Sequence, residues 1–184
     1  MSDAAALDLA TEPKGAAVSP FRSCALALLL AGSLSGAAAA GTLPDAIAAP
    51  DESIVLTVHA EGAQVYECKP GNDGKLAWSF REPIATLVAD DKTVGRHYAG
   101  PSWEDSDGSA VVGKVAASVP GATPADIPWL RLDVASHRGS GILSGVTTVQ
   151  RIHTEGGNLK GGCDTAGAFR SAPYSTDYVF LRKG

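Results

Sequence analysis

The most β-branched run of the chain reads Val-Thr-Thr-Val-Gln-Arg-Ile-His-Thr and occupies residues 146–154. Branching at Cβ restricts the side-chain rotamers and favours the pleated surface of a sheet over a helix. The run therefore predicts a β-strand. Beyond residue 40 the sequence on either side of it repeats this kind of pattern and contains no convincing helical period.

Shorter segments flank this run and share its strand character. Apolar residues occupy alternate positions in residues 76–81 and again in residues 127–134, which is the period of a strand with one buried face. Clusters of Pro, Gly, Asn and Asp separate the segments, as at 70–74 and 120–124, and these residue types favour turns. Roughly eight to ten short strands in this arrangement predict an all-β protein, either a β-sandwich or a β-barrel.

Two strand boundaries are predicted from residues that favour turns or interrupt strands. The dipeptide Glu61-Gly62 separates a β-branched segment at 54–58 from an alternating one at 63–68, and it predicts a hairpin turn. Pro83 follows the segment at 76–81 and is expected to end that strand, because proline cannot donate to a sheet ladder.

The first 40 residues have the pattern of a secretory signal peptide. An apolar run at 24–34 follows Arg22, and the small residues of 35–40 fit a cleavage site. We expect cleavage near Ala40 and an exported product, periplasmic or extracellular, with an uncleaved N-terminal anchor as the alternative. Residues 41–52 would then be a linker or N-terminal arm, and residues 53–184 a single β domain.

Charge and cysteine content narrow the possible partners. The chain has a formal net charge of −5 and no basic stripe, which argues against nucleic acid as a partner. No apolar stretch after the signal peptide suggests a membrane span. Cleavage would leave two cysteines, Cys68 and Cys163, and an even number in an exported chain suggests a disulfide. Two buried free thiols are the alternative.

Several motifs occur in a fixed order along the chain. They are Val65-Tyr66-Glu67-Cys68, Trp78-Ser79-Phe80, His97 to Glu104, Asp107-Gly108-Ser109, Ile127 to Leu130, Gln150 to Gly157 and Pro173 to Tyr178. Together they resemble the bacterial and fungal family catalogued as domain of unknown function 3455, over nearly all of the mature chain. The resemblance implies an exported, single-domain β protein, and it brings no known activity, ligand or catalytic residue with it.

The segment from Gly95 to Gly113 is the densest in side chains that can carry chemistry. Its Trp103 follows a Gly-Pro bend and precedes acids, so we expect an exposed indole near a loop, where it could stack on a ligand. Two further residues come from the other motifs. The candidate ligand-binding residues are His97, Tyr98, Trp103, Glu104, Trp129 and Arg151.

Metal and cofactor sites find little support in the sequence. Asp105 and Asp107 stand at alternate positions, but the remaining ligands of a calcium loop are missing, and Asp107-Gly108 fits a β-turn better. No Gly-x-Gly-x-x-Gly joins a strand to a helix, so no dinucleotide fold is predicted. We expect no metal and no cofactor.

Three hypotheses for function follow from these observations. The first is a non-catalytic exported module that binds a small molecule or glycan through the candidate residues. The second is a hydrolase or metal-dependent enzyme that uses His97 and Glu104, with Asp107 as a further acid. The third is a structural or envelope-associated protein without a small ligand.

Overall fold

The computed structural model describes residues 42–184, so the predicted signal peptide lies outside the described residues. Eight antiparallel strands form one closed barrel, in which each strand pairs with the next and the last pairs with the first. The strands are β1 (Glu52–Pro70), β2 (Leu76–Ala89), β3 (Lys92–Tyr98), β4 (Ser102–Asp105), β5 (Ala110–Val119), β6 (Trp129–Arg138), β7 (Thr148–Gly156) and β8 (Phe169–Lys183). The all-β prediction is confirmed, and the architecture is the barrel.

The predicted hairpin turn at Glu61-Gly62 is wrong. Both residues lie inside β1, which is a single strand of 19 residues. Gly62 pairs with Ala85 on one side and with Tyr174 on the other. A Cβ at this position would collide with the backbone of β2 at Ile84 and Ala85. The glycine therefore serves the close approach of two strands, and no change of direction occurs there.

Pro83 does not end a strand either, because β2 continues through it to Ala89. The neighbouring strand β3 pairs with β2 only from Ala85 onward, so Pro83 has a strand beside it on one side, where it stands opposite Gln64. A missing N–H is tolerated at a position with one open side. A bulge in the β1–β2 pairing follows immediately, between Val65 and Tyr66.

One end of the barrel is closed by the segment that joins β6 to β7. Leu143 and Val146 in this segment are fully buried and belong to the interior core. Asp107 holds the segment in place, since its Oδ2 accepts a hydrogen bond of 2.7 Å from the Ile142 N–H. The Leu143 N–H donates to the Ser109 hydroxyl at 3.1 Å. The core is therefore sealed at this end.

Residues before β1 cover part of the outer wall. A short 3₁₀ helix at Asp45–Ile47 buries Ile47 against Ile152 and Val179 on the outside of β7 and β8. The Gln150 side-chain amide donates to the Ile47 carbonyl at 2.7 Å. The described residues contain no helix long and apolar enough to cross a membrane.

The opposite end of the barrel carries the predicted disulfide, which is confirmed. Cys68 near the end of β1 is joined to Cys163 in the connection between β7 and β8. The Cys68 N–H also donates to the Ala168 carbonyl at 2.8 Å, and Tyr66 donates its hydroxyl hydrogen to the Gly157 carbonyl at 2.8 Å. These contacts hold the connection across this end of the barrel.

Replacing both cysteines, as Cys68→Ala with Cys163→Ala, should lower the free energy of unfolding by about 2–5 kcal/mol, because the bridge closes a long loop in the unfolded chain. Denaturant unfolding followed by tryptophan fluorescence measures this. The parent protein with reductant should match the double variant, and the variant should not respond to reductant. A parent whose unfolding is insensitive to reductant would contradict the prediction.

Candidate functional site

A cavity of about 390 Å³ enters the barrel at the disulfide end. Its inner wall is formed by side chains that are almost completely buried, Gln64, His97, Trp103 and Tyr178. Its mouth is formed by the more exposed residues Phe80, Arg81, Pro101, Val115 and Asn158. The mouth is open because β3 ends before it, which leaves the early part of β2 with a strand on one side only.

The inner wall is organised around an aromatic cluster from β3, β4 and β8. His97 and Trp103 face each other across the β3–β4 pair, and their rings stack at 4.6 Å between centroids with an interplanar angle of 14°. Tyr178 lies 5.0 Å from the imidazole and 5.3 Å from the indole. Strand alternation directs these three side chains inward together.

His97 is held as a neutral imidazole. Its Nδ1 lies 2.8 Å from the Ser102 carbonyl oxygen, and because a carbonyl only accepts, Nδ1 carries the proton and Nε2 is an acceptor. Burial lowers the pKa of His97 to about 3, the Ser102 carbonyl acts in the opposite direction, and the charge of Arg151 lowers it further. The ring therefore stays uncharged at neutral pH.

Glu104 and Tyr98 lie on the outer face of the wall, away from the cavity interior. Glu104 pairs with Arg96 across the strands, and its Oε2 accepts from Arg96 at 3.0 Å, from Arg138 at 2.7 Å and from the Tyr98 hydroxyl at 3.0 Å. Hydrogen bonds from Arg96 and Tyr98 hold the pKa of the Glu104 carboxyl below its ordinary value, against the effect of burial. The carboxylate is fully engaged in this network.

The four candidate residues His97, Tyr98, Trp103 and Glu104 do not line the barrel cavity together. Neighbouring residues of a strand point to opposite faces of a sheet. His97 and Trp103 belong to the interior, and Tyr98 and Glu104 belong to the exterior. An outer groove is bordered by His97, Tyr98 and Glu104, but the imidazole of His97 faces the interior, where it stacks on Trp103.

Two tryptophans differ from expectation as well. Trp103 is 1% exposed, because its place in β4 opposite His97 directs the indole inward despite the preceding Gly-Pro bend. Trp129 lies on the outer wall, where it packs with the cluster around Ile47 and meets the His153 ring edge-on at 5.1 Å. Trp129 does not line the cavity.

Arg151, another of the candidate ligand-binding residues, lines the cavity. Its strand partners are Leu130 on β6 and Tyr178 on β8, and both of them also face the interior. The Nε and Nη2 groups of Arg151 donate to the Pro128 carbonyl at 3.0 and 2.8 Å. These bonds fix the guanidinium beside the aromatic cluster.

Sequence reasoning missed Gln64 and Tyr178 as cavity residues. Gln64 is 2% exposed, and its Nε2 has no hydrogen-bond partner among the described residues. One signal was available, because Gln64 shares the inward face of its strand with Tyr66 and Cys68. A polar side chain on an otherwise apolar face calls for a partner.

Asp107 and Asp105 act within the fold. Asp107 Oδ1 accepts from the N–H and the hydroxyl of Ser109 at 2.8 and 2.6 Å, and bonds from Ser109 and Ile142 lower its pKa. The predicted turn is present, with Gly108 at a φ of 86°. Within residues 42–184 no group of three or more His, Cys, Asp or Glu side chains is placed to hold a metal ion.

The low pKa of His97 predicts a loss of stability in mild acid. The unfolded chain binds a proton at His97 near pH 6.5 and the folded one only near pH 3, so the stabilisation is present above pH 6.5 and is lost as the pH falls toward 3. Between pH 6.5 and about 4.5 the loss should be about 2–3 kcal/mol. His97→Phe should remove most of this dependence in denaturant unfolding, whereas the exposed-site control His59→Gln should keep it. If the free energy of unfolding fell equally with decreasing pH in the parent and in His97→Phe, His97 would not be the source of the acid sensitivity.

The comparison with protein-family models agrees with the resemblance seen in the sequence. The family described as "Protein of unknown function (DUF3455)" matches residues 48–92 and 88–182. No curated protein and no solved structure matches the chain. Because the matched residues cover nearly all of the barrel, this chain belongs to the DUF3455 family of proteins of unknown function.

Proposed function

We propose that this protein is a non-catalytic module that binds one small molecule inside its barrel. The cavity of about 390 Å³ is the observation that carries the proposal. Eight-stranded barrels either fill their interior with side chains or hold one small ligand. A cavity of this size falls in the range of roughly 300–1,000 Å³ that is usual for ligand sites.

The lining favours a small molecule over a glycan. Apolar residues such as Ile127, Leu130 and Leu132 form much of the wall, with a few polar groups set among them. This is the usual composition of a small-molecule pocket. Sugar recognition was expected to depend on an exposed Trp103, and that indole is buried against His97.

The same lining argues for binding without catalysis. The described cavity residues include no Ser, Thr, Cys, Lys, Asp or Glu, so the commonest nucleophiles are missing from this set. His97 is neutral and its pKa of about 3 lies far from the range in which an acid or base works best at neutral pH. Glu104, the acid of the alternative enzyme hypothesis, is engaged on the outer wall.

We also infer that the protein works outside the cytoplasm, as a barrel of residues 53–184 preceded by an arm at 41–52. Disulfides persist mainly in oxidising compartments, and Cys68–Cys163 is such a bridge. N-terminal sequencing of protein recovered from the periplasm or the medium should begin near Gly41. Recovery from the cytoplasm with residues 1–40 intact would contradict this inference.

Narrowing the mouth should weaken binding of a neutral fluorescent probe, N-phenyl-naphthylamine. Val115 is 51% exposed at the mouth, so Val115→Trp places an indole there without disturbing the core. We expect affinity to fall by at least about ten-fold, measured by fluorescence titration. Ile54→Trp is the matched control, since Ile54 is also a β-branched strand residue, is 66% exposed and lies away from the cavity.

Two outcomes would contradict the proposal. One is a parent protein that shows no saturable binding of the probe or of any compound in a panel of small amphipathic molecules. The other is equal weakening by Val115→Trp and Ile54→Trp, because binding would then not pass through the cavity.

A further inference from the structure

We propose that the cavity selects a small monocarboxylic acid with an apolar body, and that Arg151 binds its carboxylate. This inference rests on the proposed function, because it names the class of molecule that the barrel takes up. Three features of the wall lead to it, namely an uncompensated charge, unpartnered donors and an apolar remainder.

Arg151 is a positive charge without a counterion. A guanidinium carries five N–H donors, and the Pro128 carbonyl receives only two of those of Arg151. No carboxylate of the described residues forms an ion pair with it, and the cavity lining includes no Asp or Glu. The other lining arginine, Arg81, already has Glu82 at 3.4 Å and lies over the Phe169 ring. A half-buried charge of this kind is stabilised by an anion that enters the site.

The titratable neighbours of Arg151 do not supply that anion. Burial raises the pKa of Tyr178, although the charge of Arg151 acts in the opposite direction. Burial likewise raises the pKa of Tyr174, whose hydroxyl lies 3.4 Å from that of Tyr178. Both phenols therefore remain protonated at neutral pH. His97 is neutral, so Arg151 is the single charge of the described inner wall.

Two further donors on the wall lack a well-formed hydrogen bond. Gln64 Nε2 and Trp103 Nε1 are buried, and the groups beside them among the described residues are the hydroxyls of Tyr174 and Tyr178, with which neither forms a hydrogen bond of good geometry. The six-membered ring of the Trp103 indole packs toward Gly113, so the indole N–H lies on the edge that points away from Gly113. Buried donors are nearly always bonded in native proteins, and an acceptor on a bound molecule would complete the bonding of these two. A carboxylate has two oxygens that accept several bonds and can also receive a guanidinium.

The apolar residues of the wall determine which kind of group the rest of the ligand can be. Leu130, Leu132 and Ile127 line it, and Phe80 and Val115 continue the apolar surface to the mouth. A short hydrocarbon or a single aromatic ring fits this surface. One inner positive charge matches a monoanion better than a phosphate, which carries nearly two negative charges at neutral pH.

The test compares trans-cinnamate with its neutral isostere, cinnamamide, by titration calorimetry of the full mature protein at neutral pH. The parent should bind the acid at least about ten-fold more tightly than the amide. Arg151→Met keeps much of the aliphatic stem and removes the charge, so it should abolish this preference for the acid over the amide. Arg81→Met is the matched control and should retain the preference for the acid.

The outcomes separate this inference from the proposed function. Equal affinity of the parent for acid and amide overturns the inference, and this comparison does not depend on a variant that folds. Retention of the acid preference in Arg151→Met, or tighter binding of phenyl phosphate than of cinnamate, overturns it as well. In each of these cases the proposed function stands if the parent protein binds N-phenyl-naphthylamine. If the parent binds neither the acids nor the neutral probe, both proposals fail.

Discussion

Closure of the barrel through β1 is the constraint on which the other features depend. β1 pairs with β8 over Glu52–Glu67 and with β2 over His59–Pro70, so one long strand joins the two ends of the sheet. A closed sheet has an inside and an outside, and alternation then assigns every side chain to one of them. Gly62 is part of this constraint, since no side chain fits where β2 comes closest.

The same closure explains why the interior is sealed at one end and accessible at the other. Asp107 and Ser109 hold the segment with Leu143 across one end, and the core is packed beneath it. At the far end β3 stops early, and the disulfide holds the β7–β8 connection beside the gap that results. The bridge thus fixes part of the cavity mouth, including Asn158, as well as limiting the unfolded chain.

Periodicity and turn chemistry were enough to predict the fold class, because both depend on residues close together in sequence. The all-β class and the turn at Asp107-Gly108 follow from such local patterns, whereas the Cys68–Cys163 disulfide was predicted from the even number of cysteines beyond residue 40. Strand boundaries and the site were harder to predict. Glycine and proline, as at Gly62 and Pro83, occur both in turns and inside strands, so their presence alone does not show where a strand ends. Only the pairing of distant strands shows that Trp103 faces inward and that Arg151 lines the same cavity.

The polar groups of the inner wall bear on the third hypothesis, that of a purely structural barrel. Such a barrel gains stability from an interior of well-packed apolar side chains, and buried donors without acceptors detract from it. Arg151, Gln64 and Trp103 Nε1 place donors in an interior whose other members are largely apolar. Departures from the rules of stable packing tend to gather where a protein meets a ligand. Among the described residues, Gln64 and Trp103 line the cavity with Arg151, whereas the other two buried donors without a partner, Trp129 Nε1 and Arg131 Nε, lie elsewhere. The donors therefore support the proposed binding role because they occur together with a cavity.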